Sequence, residues 1–140
     1  MVRGEAAGEF NLPTDAAMAP DGTLWVLDAG NFRVQAFDRG GAPLRQFGSV
    51  GSGLGQFARP RGLAVDAQGR VYVSDASFCN VQVFQPGGEL LLAIGGRGEQ
   101  DAPGRYLLPS KLACDEHGFL YVVDQFFHKI EVIRRLGEPA

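Results

Sequence analysis

One stretch of sequence occurs three times along this chain of 140 residues, and the repetition constrains the fold more than any other feature. Two landmarks define each copy: a proline near its start and an aspartate that ends its second apolar run. These landmarks are Pro13, Pro60 and Pro109, and Asp28, Asp75 and Asp124. Both landmarks recur after 47 residues and then after 49. Because fixed periods of roughly 20–50 residues are typical of solenoids, propellers and arrays, we expect three copies of one structural unit.

Each copy contains short apolar runs that are separated by turn residues. In the middle copy these runs lie at residues 62–65, 71–74, 81–84 and 89–94. Runs of this length with alternating apolar positions predict β-strands, and nothing in the sequence reads as a helix. Four short antiparallel strands per repeat are typical of a propeller blade. The sequence therefore predicts an all-β fold, namely a β-propeller of four-stranded antiparallel blades with three blades per chain.

The repeated residues resemble the NHL repeat over nearly the whole chain, from about Gly4 to Arg135. Residues 8–13 and 55–60 have the Gly-x-Phe-x-x-Pro opening of that family, and residues 28–34 nearly match its Asn-His-Arg-Val segment. The loops at residues 78–80 and 127–129 depart from the family pattern. The resemblance implies a propeller that closes with about six blades, which is about twice the length of this chain.

We predict a single propeller segment over residues 1–140, with blades at 8–54, 55–103 and 104–135, the last of them without a fourth strand. Three blades form an open arc, whose two end faces carry the same apolar side chains that fill the internal junctions. Exposed apolar surface of that size favours association. The chain is therefore either a fragment of a longer propeller or a half-propeller that completes a ring as a homodimer or other homo-oligomer.

The charge balance argues against a nucleic-acid surface. The chain has 13 basic and 16 acidic residues and a formal charge of −3, whereas a nucleic-acid surface is expected to show a clear basic excess. No apolar run approaches the ~18 residues of a membrane span, and no signal peptide opens the sequence. The chain as given is therefore expected in the cytoplasm, without membrane contact. Cys79 and Cys114 lie in different parts of different repeats and are expected to be free thiols.

The three recurring aspartates are the strongest chemical signal. Asp28, Asp75 and Asp124 each end a second strand and are expected on one face of the arc. Two interpretations are open: a ring of carboxylates that holds calcium, or carboxylates that each accept backbone N–H groups of the following loop. Because the residue recurs once in every blade, as a requirement of the fold would, we favour the second interpretation and predict no metal and no cofactor.

Histidine content argues against an enzyme. Some NHL-type propellers resemble metal-dependent lyases in which histidines converge on a central channel, but this chain has only His117 and His128. These two residues lie in loops on opposite faces of a blade, so one protomer does not bring them to one metal. No motif for a catalytic nucleophile occurs. The alternative is a metal-dependent lyase or hydrolase whose site is built across a two-fold interface from Asp28, Asp75, Asp124 and His128 of two copies.

The loop after the second strand of each repeat is rich in aromatic residues. It carries Phe32 in the first copy, Phe78 in the second, and Phe126, Phe127 and His128 in the third. These side chains either fill the gap between blades or form an outward patch that binds a partner. Adjacent residues of an extended loop do not both face inward easily, which favours an outward role for the third copy. The sequence therefore predicts a non-enzymatic scaffold that binds protein or peptide partners through these loops.

Overall fold

The computed structural model describes residues 2–134, which form fifteen strands, one 3₁₀ turn at Ala29–Asn31 and no α-helix. Two short strands come first, β1 (Val2–Arg3) and β2 (Glu9–Phe10). Blade 1 consists of β3 (Pro13–Met18), β4 (Leu24–Asp28), β5 (Arg33–Phe37) and β6 (Pro43–Phe47). Blade 2 consists of β7 (Pro60–Val65), β8 (Val71–Asp75), β9 (Asn80–Phe84) and β10 (Leu90–Ile94). The short strands β11 (Gly96–Arg97) and β12 (Arg105–Tyr106) lead to blade 3, which consists of β13 (Pro109–Cys114), β14 (Phe119–Asp124) and β15 (Lys129–Arg134).

Strands within each blade are antiparallel and lie side by side in chain order. Blades 1 and 2 are four-stranded sheets, and the described part of blade 3 is a three-stranded sheet. The predicted all-β fold of antiparallel blades is confirmed. The predicted end of blade 3 at residue 135 and the predicted lack of its fourth strand fall on residues 135–140, which lie outside the described residues.

The first hairpin of every blade turns at a glycine. Gly22, Gly69 and Gly118 have φ angles of 90°, 81° and 88°, in the left-handed region that side chains disfavour. The N–H of each glycine donates a hydrogen bond to the backbone carbonyl of the residue three positions earlier, as from Gly69 to Asp66 at 3.0 Å. These tight turns keep neighbouring strands in register along the chain.

Each blade is entered through a short connector that begins with a parallel pair of segments. β1 pairs with β2, residues 50 and 57 form an isolated parallel bridge, and β11 pairs with β12. The aromatic residue at the end of each connector is directed into the fold: Phe57 and Tyr106 are fully buried, and Phe10 packs on Phe37 with ring centroids 5.7 Å apart. The connectors therefore supply one aromatic side chain to each blade.

The hydrophobic core lies between blades, in two clusters. The cluster between blades 1 and 2 contains Ala19, Trp25, Leu27, Val34, Ala36, Phe57, Leu63, Val71, Val73 and Phe84. The cluster between blades 2 and 3 contains Ala64, Tyr72, Cys79, Val81, Val83, Tyr106, Leu112, Leu120 and Val122. Blade 2 contributes one face to each cluster, as strand alternation requires. Burial of apolar area at these two junctions is the main stabilising contribution in the arc.

Both end faces of the arc expose apolar side chains. Ile130 and Val132 on blade 3 are 65% and 54% exposed, whereas Val34 and Ala36, which occupy the same repeat positions in blade 1, are fully buried. At the other end, Met18 of blade 1 is 63% exposed. Within residues 2–134 these faces have no covering blade, so the arc presents two apolar surfaces of the kind that its own junctions bury.

Both cysteines are free thiols. Burial raises the pKa of Cys114 to about 12, so the thiol is protonated at neutral pH. No helix within residues 2–134 has the length and apolar character needed to cross a membrane.

Candidate partner-binding loop

A buried aspartate at the end of each second strand organises the loop that follows. The Asp75 carboxylate accepts hydrogen bonds from the backbone N–H groups of Ala58 and Ser77, both at 2.9 Å, and of Phe78 at 3.2 Å. Its bonds join the connector that enters the blade to the loop that leaves β8. Since each such bond to a carboxylate is stronger than one between neutral groups, one side chain holds both segments in place.

The same arrangement recurs in blade 3, whereas in blade 1 the Asp28 carboxylate holds its loop through the side chains of Asn31 and Arg33. Asp124 accepts the N–H groups of Leu107 at 2.9 Å, Phe126 at 2.9 Å and Phe127 at 3.1 Å. Asp28 accepts the N–H of Asn11 at 2.8 Å and the Nε–H of Arg33 at 3.0 Å, with which it also forms an ion pair. Arg33 additionally donates to connector carbonyls.

These aspartates therefore act within their own blades. All three are at most 1% exposed, and each one is bonded to the loop and connector of its own blade. Among residues 2–134, no three His, Cys, Asp or Glu side chains are grouped closely enough to hold a metal ion. Asp75 and Asp124 accept backbone N–H groups of the following loop, as that interpretation predicts, whereas the loop donors to Asp28 are side chains.

The loops also share one left-handed residue, occupied by a different side chain in each blade. Phe32, Cys79 and His128 have φ angles of 55°, 56° and 54°. Phe32 is half-buried against the core between blades 1 and 2, and Cys79 is buried in the core between blades 2 and 3. His128 is exposed because no described blade follows blade 3. This position therefore closes a junction wherever a next blade is present.

Phe126 and Phe127 make the loop of blade 3 different from the other two. We call residues 125–128 the aromatic loop. Phe126 is 59% exposed, and its ring lies 5.5 Å from that of Phe127 at an interplanar angle of 82°, an edge-to-face contact. Phe127 is half-buried, with the Lys129 ammonium 5.6 Å from its ring centroid. The pair presents an aromatic surface whose backbone is fixed by Asp124.

The sequence-predicted site residues are therefore only partly brought together. Phe126, Phe127 and His128 are adjacent in the aromatic loop, whereas Phe32 lies at the junction of blades 1 and 2. Phe78 is half-buried in the loop of blade 2. Each blade thus has its own version of the loop, and only that of blade 3 combines two aromatic rings with an exposed histidine.

His117 lies far from this loop. It follows Asp115 in the turn before β14, whereas His128 follows β14, so the two residues are at opposite ends of a six-residue strand. A strand of that length spans about 20 Å. His117 is exposed and lies 3.5 Å from the Glu116 carboxylate. One copy of the described chain therefore does not bring the two histidines to a common ligand.

A charged cluster beside the aromatic loop was not predicted from the sequence. The Glu131 carboxylate accepts the Tyr106 hydroxyl at 2.6 Å and the Gly104 N–H at 3.0 Å, and it lies 3.0 Å from the Lys129 ammonium. Lys129 also pairs with Asp101 at 2.7 Å. Burial opposes ionisation of Glu131, but the bonds from Tyr106 and Lys129 prevail and lower the pKa of Glu131.

The corresponding positions in blades 1 and 2 are neutral. Gln35 and Gln82 accept the N–H groups of Gly8 at 3.0 Å and Gly55 at 2.8 Å, and their amide groups donate to connector carbonyls. In blade 3 the equivalent residue is Glu131, whose carboxylate has no proton to donate at neutral pH. The aromatic residue of the connector is Tyr106 in blade 3 and Phe57 in blade 2, and the Tyr106 hydroxyl donates a hydrogen bond to Glu131. When the repeats are aligned, Phe57 and Gln82 of blade 2 correspond to Tyr106 and Glu131 of blade 3. This double difference is the sequence signal for the cluster.

Comparisons with known proteins agree with this architecture. The NHL repeat matches residues 10–37 and 57–85, in the first and second blades. A search of the curated proteins finds no match. Among solved structures, the chain is similar to a gluconolactonase from Xanthomonas campestris, with 29% identity, a TM-score of 0.56 and coverage of 83% of this chain and 36% of that one.

Two further solved structures show the fold at lower identity. A calcium-binding protein, regucalcin from Agrobacterium tumefaciens, is 19% identical with a TM-score of 0.58, and the match covers 82% of this chain and 38% of that chain. A chain of a nidogen/laminin complex is 16% identical with a TM-score of 0.64, and the match covers 86% and 42%. The chain thus spans less than half the length of these structures. The resemblance to NHL-repeat propellers is confirmed.

Proposed function

We propose that this chain, which carries two NHL repeats in a propeller-type fold, is a non-enzymatic scaffold that binds a protein or peptide partner through its aromatic loop. The observation that carries the proposal is the edge-to-face pair of the exposed Phe126 and the half-buried Phe127 on a loop whose backbone N–H groups are bound by Asp124. A loop held in place this way loses little conformational entropy on binding, and aromatic anchors dominate interface energetics. His128 is exposed at the end of the same loop and adds a polar contact.

The scaffold completes a six-bladed ring by association of two copies. The end face of blade 3 presents apolar residues at the repeat positions that blades 1 and 2 bury against their next neighbours. The end face of blade 1 presents apolar residues at the positions that blades 2 and 3 bury against their preceding neighbours. Packing blade 3 of each copy on blade 1 of the other satisfies both faces with one two-fold operation.

The loop proposal is tested with peptides selected from a displayed library on the wild-type chain. We expect the double variant Phe126→Ser/Phe127→Ser to lose at least about tenfold in affinity for these peptides, since truncated hot-spot residues cost about 2 kcal/mol or more. The matched control is Leu54→Ser, which removes another exposed apolar side chain, 75% exposed, from a connector. Unchanged affinity in a double variant with a wild-type circular dichroism spectrum removes the aromatic loop from the site.

A second candidate function is metal-dependent hydrolysis or lyase chemistry at a site shared by two copies. The similarity to a gluconolactonase favours it, whereas the full use of Asp28, Asp75 and Asp124 within their own blades weighs against it. Elemental analysis of purified protein and thermal unfolding with added calcium or zinc decide between the two. A bound ion together with lactone hydrolysis supports the enzyme, and no ion, no stabilisation and no turnover exclude it.

A further inference from the structure

The connectors that enter the three blades make one and the same turn. The N–H of the residue before the connector aromatic donates to the carbonyl three positions earlier: Glu9 to Ala6 at 2.9 Å, Gln56 to Gly53 at 3.1 Å, and Arg105 to Ala102 at 3.0 Å. The glycine before each donor residue bonds to the third strand of its own blade. The same backbone carbonyls are therefore presented in every blade, and the groups that meet them can be compared position by position.

In blade 1 a guanidinium group lies against this turn. Arg33 is 7% exposed and donates to the backbone carbonyls of Glu5, Ala6 and Glu9 at 2.6, 3.1 and 2.9 Å. It also donates to the side-chain carbonyl of Gln46 on the fourth strand at 2.8 Å, and to the buried aspartate of its blade. Each of these bonds is strengthened by the positive charge of the donor. The turn of blade 1 is therefore a site for one guanidinium group, which the chain itself supplies.

In blade 3 an ammonium group has the same role. Lys129 donates to the Ala102 carbonyl at 3.1 Å and forms ion pairs with Asp101 at 2.7 Å and Glu131 at 3.0 Å. Lys129 and Arg33 stand at one register position, the first residue of the third strand, opposite the aspartate that ends the second strand. A cation from this position meets the connector in both of these blades.

Blade 2 has an uncharged residue at this position. Asn80 begins β9 opposite Asp75, and its Oδ1 atom is buried without a hydrogen bond from any described residue. The Asp75 carboxylate is fully buried and forms no ion pair within residues 2–134. The residue that corresponds to Gln46 is the exposed Ala93, so a methyl group replaces the amide that flanks the guanidinium in blade 1. Both differences shorten the side chains around the turn.

The oxygen atoms of the turn are retained in blade 2. Gly53 and Gln56 present their carbonyls at the positions of Ala6 and Glu9. The Gln56 carbonyl accepts the side-chain amide of Gln82 at 2.9 Å, which repeats a bond made in blade 1. Among the described residues, no cation donates to either carbonyl. Blade 2 therefore keeps the acceptors that bind a cation in the other blades, whereas the chain supplies no cation to them.

The composition of this set favours a guanidinium group over an ammonium group or a metal ion. Blade 2 combines neutral carbonyls with the neutral Gln82, as blade 1 does, whereas blade 3 uses the carboxylates of Asp101 and Glu131 for its ammonium. A planar group with several N–H donors satisfies several carbonyls at once. The single charge of Asp75 matches that of a guanidinium, and the part of the chain that the structure describes contains no cluster of metal-binding side chains.

We propose that blade 2 binds a guanidinium group from outside the blade at this turn, with Asn80 Oδ1 and the carbonyls of Gly53 and Gln56 as acceptors and Asp75 as the balancing charge. Gly53 is exposed, so the turn faces solvent, and the small Ala93 side chain leaves room for entry beside β10. Blade 2 has a described blade on each side, so the site is independent of how the ring is closed. The group belongs to a free guanidinium compound or to an arginine side chain of a bound peptide, which present the same chemistry.

The probe is methylguanidinium chloride, which is titrated into the full 140-residue chain at constant ionic strength and followed by two-dimensional NMR of the amide groups. We expect saturable shifts of the backbone N–H signals of residues 53–56 and of the Asn80 side-chain amide. The dissociation constant is expected to be on the order of 1 mM, since a few charge-assisted hydrogen bonds hold a small ligand. Potassium chloride and tetramethylammonium chloride, whose cations have no N–H donors, are expected to leave these signals unchanged.

Asn80→Arg tests the site by supplying the guanidinium group from the chain, as blade 1 does. We expect this variant to bind methylguanidinium at least about tenfold more weakly and to melt about 3 °C higher, because the new side chain makes the bonds that Arg33 makes in blade 1. Asn80→Lys, which copies blade 3, is expected to lose binding in the same way. The matched control is Gln85→Arg, which adds the same charge at an exposed position just after the other end of β9 and is expected to bind normally.

A second titration identifies the source of the group. Tighter binding of N-acetylarginine amide than of methylguanidinium assigns the site to an arginine side chain of a peptide, and equal or weaker binding assigns it to a free compound. The Phe126→Ser/Phe127→Ser variant is expected to bind methylguanidinium normally, so failure of the aromatic-loop proposal leaves this one standing.

Three results overturn the proposal. The first is a lack of saturation up to about ten times the expected dissociation constant, which leaves water as the group that meets these oxygens. The second is an equal shift with potassium, which identifies a metal ion as the ligand. The third is unchanged binding in an Asn80→Arg variant with a wild-type circular dichroism spectrum.

Discussion

The aspartate at the end of each second strand is the residue on which the loops depend. Asp75 accepts the N–H groups of Ala58, Arg59, Ser77 and Phe78, and these donors lie in two segments that are far apart in sequence. Removing the negative charge weakens each of these hydrogen bonds. An asparagine amide would also place its NH₂ group, a donor, against backbone N–H groups that are donors themselves. The side chain therefore has a structural role that only a carboxylate fills.

Asp75→Asn is expected to lower the free energy of unfolding by about 2 kcal/mol, the scale of lost hydrogen bonds to a buried charged group. Urea denaturation of the variant and the wild type measures the difference. The control is Glu116→Gln, since the Glu116 side chain is 85% exposed and its loss is expected to change little. Equal stability of Asp75→Asn and wild type contradicts the structural role.

The Glu131 cluster gives the chain a defined response to acid. Its hydrogen bonds lower the pKa of Glu131 below the ordinary value of 4.5, so the carboxylate binds protons less readily in the folded chain than in the unfolded one. Its contribution to stability is therefore fully present above about pH 4.5 and is lost as the pH falls through the folded-state pKa. Tyr106 and Lys129 lose a charged partner in that range.

Glu131→Gln is expected to flatten this part of the pH dependence. Glutamine accepts the Gly104 N–H as Gln35 and Gln82 accept the glycines of their blades, and it has no charge to lose. Melting temperatures of both proteins are compared from about pH 6 to pH 3, where we expect a smaller decline in the variant. If the melting temperatures of the two proteins fall equally as the pH is lowered, the acid sensitivity lies elsewhere in the chain.

At the scale of the strands, the inner edge of the junction between blades 2 and 3 depends on close approach of backbones. Gly62 of β7 faces β13, and a Cβ atom at this position would overlap the Ser110 carbonyl group. The Ser74 hydroxyl links the same strands, since it accepts the Gly62 N–H at 3.0 Å and donates to the Ser110 carbonyl at 2.5 Å. Blades 2 and 3 therefore meet here without room for a side chain.

Gly62→Ala is expected to force these strands apart and to lower the free energy of unfolding by about 2 kcal/mol, within the range for overpacked sites. Chemical denaturation followed by tyrosine and tryptophan fluorescence measures the change. The control is Gly40→Ala, where an added Cβ meets only the exposed Asp38 carboxylate at 3.4 Å. An unchanged midpoint in Gly62→Ala contradicts the close approach.

Strand order and blade type could be predicted from the sequence because each copy repeats the same landmarks with the same spacing. The anchoring role of Asp75 and Asp124 could be predicted for the same reason, since the aspartate recurs at the end of every second strand, whereas the side-chain donors to Asp28 could not. The direction of the loop side chains could not. Phe32 and His128 occupy the same left-handed position of the repeat. Phe32 is half-buried because blade 2 covers it, whereas His128 is exposed because no described blade follows blade 3. That difference depends on contacts with neighbouring blades, which local sequence does not specify.

At the scale of the whole molecule, the exposed apolar side chains of the two end faces predict that two copies associate. Val132 on blade 3 occupies the repeat position of Val83, which is buried between blades 2 and 3. Met18 on blade 1 occupies the position of Cys114, which packs against the same cluster. Val132 and Met18 are therefore at positions that belong to one shared core when blade 3 of one copy packs on blade 1 of another.

Val132→Asp and Met18→Lys are each expected to abolish pairing, because either substitution places a charge in both junctions of a symmetric dimer and leaves it without a partner there. Light scattering after size exclusion is expected to give about twice the 15.0 kDa chain mass for the wild type and the chain mass for each variant. An equimolar mixture of the two variants is expected to regain the dimer mass. In the mixed pair, one junction holds the introduced aspartate and the introduced lysine together, and the other junction keeps the native Val132 and Met18. A monomeric wild type, or a mixture that stays monomeric, contradicts closure of the ring by a second copy.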